Sequence, residues 1–172
     1  MNAAVRIRPL EDGEVGPVLA VFDGLGARSR EQRFLAPKLR LTRADLRHLT
    51  HVDGVDRVAL VAERPDGQPV GIARFVRDRH DAGAADVAVA VVDRWQRRGI
   101  GKQLATALSA WARGVAVRRF TVDMLRDNQG AVRLMRHAGG DVRPMGLDDY
   151  SAEFEIAFDM APVGAGVPLP DA

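Results

Sequence analysis

Seven consecutive residues, Gln96-Arg97-Arg98-Gly99-Ile100-Gly101-Lys102, have the makings of an anion-binding turn. Before them runs a valine-rich segment with no turn residue, in which Val87, Val89, Val91 and Val92 read as a buried strand. After them Ile100, Leu104, Leu108, Trp111 and Val115 recur every three or four residues, the stripe of an amphipathic helix. A strand that enters a helix through glycines leaves the first helical N–H groups without partners. The helix dipole adds roughly half a positive charge at the same place. Gly99 and Gly101 carry no Cβ, so an anion can approach the backbone, and Arg97, Arg98 and Lys102 add formal charge beside it. The chemistry this pattern serves is the grip of a diphosphate. A dinucleotide fingerprint would need glycine where Leu104 stands, and a phosphate-binding Walker loop would need Ser or Thr where Gln103 stands. Neither motif fits. The competing reading is a plain strand-to-helix turn with glycines for close packing.

Ten residues before Gln96, Asp86 opens the valine strand. The period of two puts Asp86, Ala88 and Ala90 on one face and Val87, Val89 and Val91 on the other. Two alanines beside a carboxylate leave room for the tip of a substrate. The alternative is a surface carboxylate paired with an arginine. Farther on, Asn128 opens a helical stretch, where it serves as an N-cap, a ligand contact, or both. His48 and His51 lie three apart without a third ligand nearby, and there is no cysteine, so no metal site, disulfide or thiol nucleophile is expected.

These groups need a scaffold, and the 172 residues suffice for one domain with a full core. Hydrophobic content of 47% and charged content of 28% are ordinary for a globular protein. The net charge is +2, and 23 of the 25 basic residues are arginine, which suits phosphate recognition. Those residues are spread along the chain and read as a solvated face, while aromatics make up only 5%. A nucleic-acid groove with stacking platforms is not expected. No apolar run resembles a signal peptide or approaches the ~20 residues of a membrane span, so a cytoplasmic protein is expected.

Periodicity and turn residues then place the elements. A short strand around residues 5–10 precedes a helix bearing Val15, Val18, Leu19 and Phe22, capped by Asp12 and stopped by Gly24 and Gly26. A short helix covers residues 29–35, and Thr42 caps another containing Leu46 and Leu49. Strands at 57–63 and 70–76 flank the turn Pro65-Asp66-Gly67-Gln68. A strand at 118–125 has Phe120, Val122 and Met124 on one face. The Asn128 helix ends at Gly139-Gly140, and Phe154, Ile156 and Phe158 mark a last strand. Residues 142–150 stay ambiguous. The order β-α-α-α-β-β-β-α-β-α-β-β predicts an α/β (α+β) domain over residues 1–160, with a mixed, mainly antiparallel sheet and helices on both faces. A loose tail follows at 161–172.

That order and the Gln-x-x-Gly-x-Gly turn resemble the GNAT N-acetyltransferases, and most closely the catalytic domain of bacterial GNAT-type protein lysine acetyltransferases, over residues 29–140. The resemblance implies acetyl-CoA as co-substrate, with its pyrophosphate in the turn Gln96, Arg97, Arg98, Gly99, Ile100, Gly101 and Lys102. It implies a strand splayed from its neighbour so that Val89 and Val91 pair with the pantetheine amides, and a further contact from Asn128. Asp86 falls where that subgroup carries a glutamate general base, one methylene longer. Met135 falls where many members carry a tyrosine that protonates the leaving thiolate, and Tyr150 is the sole tyrosine that could stand in for it. Arg33 and Phe34 either border the acceptor site or pack their helix, and packing is the favoured reading. The implied activity is acetyl transfer to a primary amine, of a protein lysine or of a small molecule. A non-catalytic acyl-CoA-binding regulatory module is the reading from a different class, and a monomer or homodimer is expected.

Overall fold

The computed structural model describes residues 4–125, 128–137, 142–147 and 152–157. Seven strands form one sheet in the order β1-β2-β3-β4-β5-β7-β6, with β1 Arg6–Pro9, β2 Arg57–Glu63, β3 Pro69–Arg77, β4 Ala84–Val91, β5 Arg119–Met124, β6 Val142–Leu147 and β7 Ala152–Ala157. Only β4 and β5 run parallel, and every other neighbouring pair is antiparallel. The helices are α1 Val15–Asp23, α2 Ala27–Phe34, α3 Arg43–Thr50, α4 Ile100–Gly114 and α5 Gln129–His137. This is the expected element order, and residues 142–147, left ambiguous by periodicity, form β6 at the sheet edge. Tyr150, Gly139-Gly140, the segment after residue 157 and the side chain of Met135 lie outside the described residues.

Each face of the sheet has its own core. On one side α4 lays Ile100, Leu104 and Leu108 against Val58, Leu60, Phe75 and Val87, with Phe120, Val122 and Met124 of β5 closing the layer. Leu104 and Leu108 are wholly buried, each contributing about 2 kcal/mol of transfer free energy. Trp111 Nε1 donates to the Gly54 carbonyl at 2.9 Å, which pins the far end of α4. On the other side Val18, Val21, Leu25 and Leu49 of the α1–α3 layer cover Ala59, Val61, Ala90 and Val92. Gly24 has a packing reason: a Cβ there would sit 2.6 Å from Val92 Cγ1, so only glycine lets the end of α1 meet the end of β4.

Two local expectations resolve differently. Thr42 does cap α3, in a capping box with Asp45. Asp12 does not cap α1. Glu14 occupies that position without a side-chain bond, while the Asp12 carboxylate accepts from Val52 N–H at 3.0 Å and meets His51 Nδ1 at 3.2 Å. Gly13, at φ 77°, turns the chain between Asp12 and the helix, so the carboxylate points to the end of α3 instead.

Candidate active site

The β4–β5 pairing is short. Ala84, Ala85 and Asp86 face Arg119, Phe120 and Thr121, and the ladder stops there. Val92 N–H bonds the Val70 carbonyl at 3.0 Å, and Asp78 N–H bonds the Ala84 carbonyl at 2.9 Å. Hydrogen-bonded pairs with β3 therefore fall on the even-numbered residues of β4. Val87, Val89 and Val91 turn their backbone groups the other way, toward β5, and beyond Asp86 the strand lacks its parallel partner. A groove of about 480 Å³ opens in this gap.

The turn after β4 closes one end of the groove. Arg97 and Gly99 both adopt positive φ, at 58° and 79°, and Gly99 is the N-cap residue of α4. No side chain caps α4 and no acidic residue lies in its first turn, so its leading amides remain available to an anion. Gln96, Arg97, Gly99, Gly101 and Lys102 line the groove, as do Val89, Val91 and Asn128. Gln96 also braces the turn: its Nε2 donates to the Val91 carbonyl and to Asp93 Oδ1, both at 3.0 Å, and lies 3.3 Å from Ser29 Oγ. Asn128 Oδ1 accepts from Ala131 N–H at 3.1 Å, so it caps α5 while facing the groove. Arg98 and Ile100 stand apart from these. The Arg98 guanidinium lies 4.8 Å from the centre of the Trp95 ring, and the Ile100 side chain is buried in the core. Packing does not demand glycine at position 101, where a Cβ would meet Leu134 at an ordinary 3.4 Å.

At its other end the groove meets a second cavity, of about 280 Å³, between β3–β4 and the α2–α3 layer. Arg33, Val87, Ala88 and Asp123 line both. Asp86, Arg74 and His48 line the second cavity alone. Asp86 is reached by water yet hemmed in by protein, and burial pushes its carboxyl up, with the neighbouring Asp123 acting the same way. Arg33 and Arg74 pull it back in part. Burial and Arg74 bring the Arg33 guanidinium down to about 10. Burial also lowers Arg74 and His48. Arg74 is 6% exposed, and its Nη2 has no hydrogen-bond partner among the described residues. A carboxylate held partly against ionisation can take a proton from a group brought to it.

Arg74 and Asp123 escape notice in the sequence. The first is a cation inside the apolar run Val70-Gly71-Ile72-Ala73-Arg74-Phe75, which is the one signal available; the second is one polar residue in an alternating strand. His48 sits in α3 at the cavity and His51 pairs with Asp12, so the two histidines diverge. Among the described residues no group of three metal-binding side chains comes together. No described helix is long and apolar enough to cross a membrane.

Residues 28–139 match the model of the "Acetyltransferase (GNAT) family". Acetyltransferase Pat of Mycolicibacterium smegmatis is 36% identical over 134 residues, which is 77% of this chain and 40% of that protein; the chain thus spans well under half of that relative. The crystal structure of the GNAT domain of S. lividans PAT superposes with a TM-score of 0.81 at 28% identity, covering 90% of both chains. A cAMP-binding acyltransferase from Mycobacterium smegmatis aligns at 30% identity and a TM-score of 0.61, over 90% of this chain and 44% of that one.

Proposed function

The chain belongs to the GNAT family of acetyltransferases, and from that premise we propose that it moves an acetyl group from acetyl-CoA to a primary amine, with a protein lysine as the acceptor. One observation carries the reading: the gap between β4 and β5 runs from an amide-rich turn to a cavity holding a carboxylate, so a donor and an acceptor can enter from opposite ends and meet at Ala88. The resemblance of residues 29–140 to bacterial GNAT-type protein lysine acetyltransferases favours lysine as the acceptor.

Acetyl-CoA supplies a thioester-activated acetyl group. The leading amides of α4, with Arg97 and Lys102, take its diphosphate. The open backbone edge at Val89 and Val91 pairs with the pantetheine amides, because the parallel ladder ends before those residues. The Gln96 amide covers the Val91 carbonyl, which leaves the Val91 N–H as a donor in that stretch. Asp86 takes a proton from the acceptor's ammonium, directly or through water, a task its raised pKa suits; the neutral amine then forms the C–N bond as the thioester C–S bond breaks, and the leaving thiolate takes its proton from solvent. Direct attack of the bound amine, with both reactants held together, provides the proximity term of the rate. A small-molecule amine remains the second acceptor class, supported by the modest size of the second cavity.

Calorimetric titration with acetyl-CoA followed by thiol release against lysine peptides and free amines tests the proposal. Saturable binding and amine-dependent thiol release are expected. Absence of heat, or binding without thiol release from any amine, refutes it.

A further inference from the structure

The acceptor cavity is not the only space that opens off the donor groove. A small void of about 30 Å³ lies between α1, the α2–α3 layer and strands β3 and β4. Val21, Phe22, Leu25, Leu49, Ile72 and Ala90 line it, an apolar set. Leu25, Arg33 and Ala90 line the donor groove as well, so the void is a side pocket of that groove. Asp86, Ala88 and Ala90 share one face of β4. The acceptor cavity takes the Asp86 end of that face, and the void takes the Ala90 end. A thioester carbonyl held at Ala88 therefore has the amine on one side and the void on the other.

The walls of the void are pinned. The end of α1 rests on the end of β4, where Val92 leaves no room for a Cβ at Gly24. Gly26 N–H bonds Asp93 Oδ2 at 3.0 Å, Leu25 N–H bonds the Phe22 carbonyl at 3.1 Å, and Ile72 faces Ala90 across the β3–β4 ladder. These contacts resist collapse onto the void, so its lining forgoes the dispersion that close packing would give. An apolar void stays dry, and an alkyl group enters it without displacing bound water. Its volume is roughly the share of one water molecule in the liquid, which is room for one methylene-sized group and little more. Arg33 and Arg74 border the void on the acceptor side, where both guanidiniums lie in the field of Asp86. The rest of the lining offers a guest only hydrocarbon.

We propose that this void is an acyl-chain subsite, and that the protein transfers a propionyl group from propionyl-CoA as readily as an acetyl group, with the extra carbon held among Val21, Leu25 and Ala90. The proposal rests on the acetyl-transfer reading above. The bond changes are the same for both donors. Asp86 takes a proton from the ammonium, the neutral amine forms the C–N bond to the acyl carbon, the thioester C–S bond breaks, and the thiolate takes a proton from solvent. Only the group carried on the acyl carbon differs.

The test measures thiol release with one lysine peptide and acetyl-, propionyl-, butyryl- or malonyl-CoA as donor. The kcat/KM with propionyl-CoA should equal that with acetyl-CoA or exceed it by up to about fourfold, the worth of one buried methylene. Butyryl-CoA, whose second extra carbon has no room, should fall at least about tenfold below propionyl-CoA. Malonyl-CoA should fall as far, because its carboxylate would be buried against hydrocarbon. Val21 borders the void and not the donor groove, so substitutions there address the subsite alone. Val21→Ile should fill the void, raise the melting temperature, leave acetyl-CoA turnover unchanged and cut propionyl-CoA turnover at least about tenfold. Val21→Ala should enlarge it and raise butyryl-CoA turnover at least about tenfold; should that variant fail to fold, Val21→Ile carries the test. Propionyl-CoA more than about tenfold poorer than acetyl-CoA overturns the proposal, as does a propionyl-to-acetyl ratio that Val21→Ile leaves unmoved. Malonyl-CoA as a better donor than propionyl-CoA overturns it too, and assigns the space to an anion. Absence of thiol release with every donor counts against the acetyl-transfer reading instead, and the calorimetric affinities of propionyl- and acetyl-CoA for wild type and Val21→Ile then decide the subsite.

Discussion

Asp86→Asn separates chemistry from binding with the least structural disturbance. Asp86 lines the acceptor cavity and not the donor groove, so acetyl-CoA affinity should stay within about twofold of wild type. General-base assistance is worth about 10²–10⁴ in rate, or roughly 2.7–5.5 kcal/mol of barrier. The amide is isosteric and takes no proton at neutral pH, so kcat with a lysine peptide should fall by that factor while the acetyl-CoA dissociation constant holds. Stability gives a second, opposite sign. A carboxyl whose folded pKa lies above its unfolded value binds more protons in the folded state, so the stability it contributes below the unfolded pKa of about 4 is lost as pH rises through the folded pKa. At pH 7 the ionised Asp86 is therefore a burden on the fold, and the asparagine should melt no lower than wild type. Thiol release against pH, calorimetry and a thermal melt together decide the matter. Wild-type turnover with the acid limb of the pH profile intact would remove Asp86 from the mechanism. A lower melting temperature with weakened acetyl-CoA binding would make its role structural.

Three further outcomes are expected. Asp123→Asn removes a like charge that pushes the Asp86 carboxyl up, so the acid limb of kcat/KM should move to lower pH; an unmoved limb would deny the coupling. Gly99→Ala places a Cβ at φ 79°, costing about 1–2 kcal/mol. That cost corresponds to a drop of several degrees in Tm, read in a melt, and calorimetry should show acetyl-CoA binding at least about tenfold weaker. Thr42→Ala deletes the α3 cap and should lower stability by about 1 kcal/mol, measured by urea unfolding, with acetyl-CoA affinity unchanged because α3 does not line the donor groove.

Much of the donor side was legible in one dimension. Valine alternation, the Gly99–Gly101 turn and the three-to-four spacing of Ile100, Leu104, Leu108 and Trp111 are local signals, since each arises from the repeat of a single strand or helix. They placed β4, the turn and α4 within a residue or two of where they stand. Whether Arg98 enters the groove or stacks on Trp95 has no local signal, because it depends on the turn's dihedral angles, and Arg97 at φ 58° sets those. Asp12 misled for a similar reason, as its carboxylate meets a partner some forty residues away.

The sequence on its own determined the order of the elements, the faces they bury and the turn at the head of α4, because hydrophobic period and glycine placement act over a few residues. Tertiary structure alone decided where the β4–β5 ladder ends, and it brought Arg74 of β3, Asp86 of β4, Asp123 of β5 and Arg33 of α2 round one cavity. No short-range pattern encodes that meeting. Strand register and helix docking join residues up to ninety positions apart, and the field each charge feels comes from neighbours the chain supplies only once it has folded.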